Sequence, residues 1–150
     1  MRVLFVHQNF PGQYIHIVQR LAQMGQHQLI ALGINKPDAN RPLPESLKHF
    51  RYPLDRGNTD GIHPLVMETE TKVIRAEGCA RAAQQLKDQG FIPDLICAHP
   101  GWGEALFLKA IWPDSPLLCY QEFFYNAHGF DSNFDLEFDR DWTWRAQARL

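Results

Sequence analysis

The sequence predicts a doubly wound α/β fold, a single parallel sheet with strand order 3-2-1-4-5 and helices on both faces. Three observations carry this. Short apolar runs with β-branched residues recur without polar alternation, as in strands covered on both sides. Helix-spaced segments separate them, so the strands are joined by crossovers rather than hairpins. Glycine stands where two of those helices should stop, at Gly25 and Gly90.

"RVLFVH" at residues 2–7 is the first strand. "QYIHIVQRLAQMG" then takes up a helical period, with Tyr14, Ile17, Val18, Leu21 and Met24 on the expected inner face. "HQLIAL" at 27–32, opened by His27, is the second strand and completes a βαβ unit. Residues 33–47 are polar and carry Pro37, Pro42 and Pro44, and a loop of that length in a compact domain points to a mobile or functional segment. "KHFRY" at 48–52 is a weaker third strand, followed by the turn-rich "PLDRGNTDG". A long helix is expected over 64–89, with Pro64 in its first turn and Glu68 and Glu70 at its positive end. Val66, Val73, Ala76, Ala80 and Ala83 make its expected inner face, and Glu68–Lys72 and Glu77–Arg81 are pairs on the wet side. "PDLICA" at 93–98 and "PLLCY" at 116–120 are the fourth and fifth strands, with a short helix at 104–111 between them.

The 150 residues suffice for one domain with a real core, and 45% hydrophobic with 21% charged residues is ordinary for a globular protein. A net charge of −2 gives no electrostatic case for nucleic acid or an anionic membrane surface. Cys79, Cys97 and Cys119 form no Cys-x-x-Cys pair and lie in apolar patterns, which points to buried reduced thiols and a cytoplasmic setting. The opening "MRVLFVHQNF" does not read as a secretory signal, and no stretch approaches the ~20 apolar residues of a membrane span. The seven histidines lack metal-ligand spacing, so no metal site is expected. His16 and His49 read as surface residues and His63 as a helix-start residue.

In this strand order, strands 1 and 4 are neighbours whose chains leave in opposite directions, and ligands of open α/β sheets bind in that crevice. Two loops are expected to flank one pocket there, "HQNFPGQ" and "HPGWGE". Gly12, Gly101 and Gly103 would let backbone approach a ligand, and both loops run toward expected helix starts, which favour phosphate. His99 stands at the crevice mouth and His7 at the end of strand 1. The dinucleotide fingerprint that Gly101-Trp102-Gly103 begins is broken by Leu106, and there is no P-loop and no nucleophile elbow.

"MRVLFVHQNFPGQY", "MGQHQLIAL" and "PDLICAHPGWGEALFLKAIWPDSPLLCYQEFFY" together resemble the N-terminal domain of glycosyltransferase family 4 proteins. The resemblance implies a Rossmann-like domain forming the N-terminal, acceptor-side half of a GT-B architecture. It also implies a retaining, metal-independent transfer from a nucleotide-sugar donor, with no separate cofactor and an unidentified acceptor. By the same resemblance Gly12, flanked by Pro11 and Gln13, would approach the donor diphosphate, and His99 would lie near the transferred sugar as the catalytic candidate. Gly101, Trp102, Gly103 and Glu104 would line the acceptor side, with His7, Asn9 and Glu122 as further candidates. The second domain of such enzymes, with its E-x7-E pattern and most nucleotide contacts, has no counterpart in this sequence, so the chain is expected to be inactive alone. The competing class is a non-catalytic flavodoxin-like nucleotide- or phosphate-binding or regulatory module. A receiver-type site would need an acidic cluster at the ends of strands 1 and 3, and strand 1 ends instead in His7, Gln8 and Asn9.

Residues 120–144 hold nine of the 18 aromatics, interleaved with acids, more than a short strand and its connector can bury alone. They are expected to pack on a partner domain and, without one, to be left partly exposed or disordered or to be buried in a homodimer. A helix opening at "DRDWTWRAQARL" runs to the last residue without a C-cap, which reads as a domain cut from a longer chain. Peripheral membrane contact finds no supporting basic amphipathic helix.

Overall fold

The computed structural model describes residues 1–38, 40, 42–122 and 142–147. Its strands are β1 (Arg2–Val6), β2 (Gln28–Gly33), β3 (Leu47–Arg51), β4 (Leu95–Ala98) and β5 (Leu117–Cys119). They form one parallel sheet in the order β3-β2-β1-β4-β5, as the sequence predicts. The helices are α1 (Ile15–Met24), α2 (Met67–Asp88), the single turn α3 (Leu108–Ile111) and α4 (Trp142–Gln147).

Successive strand residues point to opposite faces, and this divides the core in two. Leu4, Val6, Ile30, Leu32, Ile96 and Ala98 share one cluster with Cys79, Ala83 and Leu86 of α2 and Leu108 of α3. Val3, Phe5, Leu29, Ala31 and Cys97 join Tyr14 and Val18 in the other, beside α1. Both faces of β1, β2 and β4 are covered, so nearly every position of these central strands favours an apolar side chain, whereas the edge strands β3 and β5 keep exposed positions.

Several elements differ in detail from expectation. His7, Tyr52 and Tyr120 fall just outside their strands. α1 closes on Gly25 with φ 68°, as expected, but Ile17 and Met24 are exposed. At ~100° per residue they lie on the flank of the stripe through Tyr14, Val18 and Leu21. α2 begins with a 3-10 turn at Pro64–Val66, whose Leu65 N–H donates to His63 Nδ1 at 3.2 Å. It is rotated from the expected face: Ala76, Cys79, Ala83 and Leu86 are buried, and Val73 is exposed. The cause is Gly78, where a Cβ would come within 3.1 Å of the Pro53 carbonyl, so the chain after β3 lies directly on the helix. Arg81 pairs with Glu77 at 3.5 Å and Asp55 at 2.6 Å, whereas Glu68 and Lys72 form no ion pair among the described residues.

The helix expected over 104–111 is confined to α3, and residues 101–107 are turns. His49 is not a surface residue: its ring stacks on Phe10, centroids 5.5 Å apart, and burial, followed by the Arg51 charge, lowers its pKa. All three cysteines are free; Cys79 and Cys97 are buried, with thiol pKa values raised by desolvation, and Cys119 is partly exposed. Among the described residues no helix is long and apolar enough to cross a membrane. Most of the aromatic tail, residues 123–141, lies outside the described residues; α4 lies near the turn that precedes α2, with Trp142 exposed.

Candidate functional site

The site begins with strand register. Val6 of β1 is paired with Ala98 of β4, so the next residues, His7 and His99, leave the sheet side by side. Their backbone amides continue the ladder, His7 N–H to Leu32 O at 3.1 Å and His99 N–H to Val6 O at 3.2 Å. Their rings meet edge to face with centroids 5.4 Å apart, and both residues are buried.

The two histidines are held alike. The Asn9 N–H donates to His7 Nδ1 at 3.0 Å, and the Gly101 N–H donates to His99 Nδ1 at 3.2 Å. Each bond occupies the Nδ1 lone pair and places the ring proton of the neutral imidazole on Nε2. A Cβ on Gly12 would lie 2.7 Å from the His7 ring, and one on Gly101 would lie 2.8 Å from the His99 ring. These glycines therefore make room for histidine rings, where the sequence suggested room for a ligand. Gly103, with φ 104°, is different again, since its missing side chain lets the turn lie against the Lys72 backbone of α2.

Glu122 joins the two loops. His99 Nε2 donates to Glu122 Oε2 at 3.1 Å, and Gln13 Nε2 donates to Glu122 Oε1. These bonds, Gln13 first and His99 second, hold the Glu122 carboxyl below its usual pKa. Among the described residues His7 Nε2 and Gln13 Oε1 are both buried outside hydrogen-bonding geometry, yet the Gln13 side chain favours the charged His7 ring slightly. Desolvation outweighs that, with His99 adding to it, so the His7 pKa is lowered. Trp102 stacks on His99, centroids 6.1 Å apart, and the Arg75 guanidinium lies 5.8 Å from the indole centroid.

The expected single pocket is two. A concavity of about 310 Å³ is lined by Glu68, Lys72, His99, Pro100, Gly101, Trp102, Gln121 and Glu122. A second of about 260 Å³ lies over Asn9, Phe10, Pro11, Gly12, Asn35, Lys36 and Asp38. His99, Gly101, Trp102 and Glu122 thus face one hollow and Asn9, Pro11 and Gly12 the other, while His7 lines neither. Glu104 lines neither as well. It is 1% exposed, and burial raises its pKa although its own amide, Arg75, His99 and Tyr52 pull the other way. Because 101–107 are turns and α3 is a single turn, the loop after β4 has no helix N-terminus to offer a phosphate.

The sequence reading missed Glu68, Lys72 and Gln121 in the first hollow and Asn35, Lys36 and Asp38 in the second. The polar loop that follows β2 was the available signal for the latter group. Glu68 and Lys72 carried only the signature of a solvated helical pair. No group of three His, Cys, Asp or Glu side chains among the described residues converges as a metal site.

Comparison with curated proteins finds no match. A family profile described as "Glycosyl transferase family 4 group" matches residues 25–150, which span β2 through α4 and include the His99–Glu122 hollow, while β1 and its loop precede the matched segment. With the doubly wound sheet and this crevice, that match places the chain in the glycosyl transferase family 4 group.

Proposed function

We propose that this chain is the acceptor-side domain of a retaining, metal-independent glycosyltransferase that moves a hexose from a nucleotide-sugar to an acceptor. The observation that carries the reading is the pair of histidines at the paired ends of β1 and β4, in the crevice where open α/β sheets bind ligands. In this reading the hollow beside Gly12 meets the donor diphosphate, with Lys36 supplying the cation that the glycine loop lacks. His99 stands beside the transferred sugar. A second GT-B domain supplies most nucleotide contacts, and the donor is a substrate, so no resident cofactor is needed. The aromatic tail covers the partner domain or, without it, a second copy of the chain, and the setting is the cytoplasm.

Developing negative charge on the departing diphosphate calls for preorganised donors on both sides of a cleft. The 150-residue chain is therefore expected to bind UDP- or GDP-hexoses weakly, in the millimolar range or better, and to show negligible transfer. Calorimetric titration of the chain and of its His99→Ala variant checks this. Loss of binding in the variant supports the reading; no binding of any nucleotide-sugar, or sustained turnover by the chain alone, overturns it.

A further inference from the structure

Both ring nitrogens of His99 are committed, Nδ1 to the Gly101 amide and Nε2 to Glu122. The group of this network that remains open to the 310 Å³ hollow is the Glu122 carboxylate, whose side chain is 49% exposed. Each of its oxygens already accepts one hydrogen bond, from Gln13 and from His99, and each keeps a further lone pair for a ligand.

We propose that Glu122 orients a hydroxyl group of an uncharged, polyhydroxylated ligand in this hollow, with His99 and Gln13 as the positioning residues that hold its carboxylate. The class of ligand rests on the sugar-transfer reading above; the role of Glu122 rests on the geometry. The hollow presents two carboxylates, Glu68 and Glu122, one ammonium, Lys72, the Gln121 amide and the Trp102 indole. Among the described lining residues a phosphate or carboxylate placed there meets two like charges and one opposite charge, with Arg75 set back over the indole, whereas a neutral hydroxyl meets acceptors that need no counter-charge. Among the described residues, the other charged or titratable groups packed around it are Arg75 over the indole, His7 behind His99, and the buried Glu104. The depressed pKa of Glu122 keeps it ionised at neutral pH, which makes it a weak base and a constant hydrogen-bond acceptor. It therefore aims a hydroxyl and leaves the proton in place.

The test uses methyl pyranosides and the matching hexose 6-phosphates as probes, titrated into the chain and followed by NMR of the histidine rings. At least one methyl pyranoside is expected to bind more tightly than its phosphate. Glu122→Gln should weaken it about tenfold, the loss of one charge-assisted hydrogen bond, about 1.4 kcal/mol. Gln13→Ala should weaken it less, and pyranoside affinity should be flat near neutral pH and fall as Glu122 protonates in acid. Glu122 is exposed, so its variant is expected to fold, and unchanged thermal unfolding confirms that. Tighter binding of the phosphate, unchanged affinity in Glu122→Gln, or no pyranoside binding overturns the proposal. Nucleotide-sugar binding in that last case leaves the transferase reading standing. Glu122-dependent pyranoside binding by a chain that takes no nucleotide-sugar overturns the transferase reading and keeps the assignment.

Discussion

Glu104 shows how far one side chain can depart from its place in a motif. In "HPGWGE" it reads as a helix-start carboxylate on the acceptor side, but the positive φ of Gly103 turns the chain, and Glu104 is buried with neither oxygen in hydrogen-bonding geometry among the described residues, so Tyr52 acts on it only weakly. Its raised pKa has a defined sign. Ionisation adds no cost below the ordinary carboxylate range near 4.5; the cost accumulates as pH rises from there to the raised folded-state value and is constant above it. Glu104→Gln is thus expected to match the parent near pH 4 and to be more stable at pH 8, by about 1–3 kcal/mol. Urea unfolding at the two pH values measures the difference, and equal stabilities at pH 8 would show that the carboxylate has a partner there. A single sequence cannot separate a buried acid from an exposed one, because the decision lies in the fold of the preceding turn.

Among the elements, the strands and α1 were legible because their patterns answer to a packed sheet on one side or both. The face of α2 was not, because Gly78 and the chain crossing it set the helix's rotation, and that contact is tertiary. The turn at 101–107 was misread for a related reason. "EALFLKAI" has helical propensity, but Gly103 must fit the α2 backbone at Lys72, and helix begins only at Leu108. Gly103→Ala is expected to cost about 3 kcal/mol or more, from the lost positive φ and the clash with backbone. Gly90 gives the comparison, since it also has a positive φ, 84°, but open space where a Cβ would stand. Gly90→Ala should cost about 1–2 kcal/mol, and denaturant unfolding of both variants isolates the packing contribution. Equal losses would mean that the α2 contact adds nothing.

For the whole molecule, strand order was readable from the alternation of strands and helices, and with it the neighbourhood of the loops after β1 and β4. The bond by which Glu122 ties the two loops was not, because its partner Gln13 lies more than 100 residues away in the chain. What brings the histidines together is the pairing of Val6 with Ala98, so strand register gauges the site as a ruler's zero mark gauges a scale. One residue inserted within β4 would shift that mark and turn every later side chain to the opposite face. The same insertion beyond Leu108 would leave the mark untouched. NMR contacts between the two imidazoles are expected to vanish in the first case and persist in the second. The alignment of the two rings would then be inherited from the sheet, leaving the outer loops free to change what they bind.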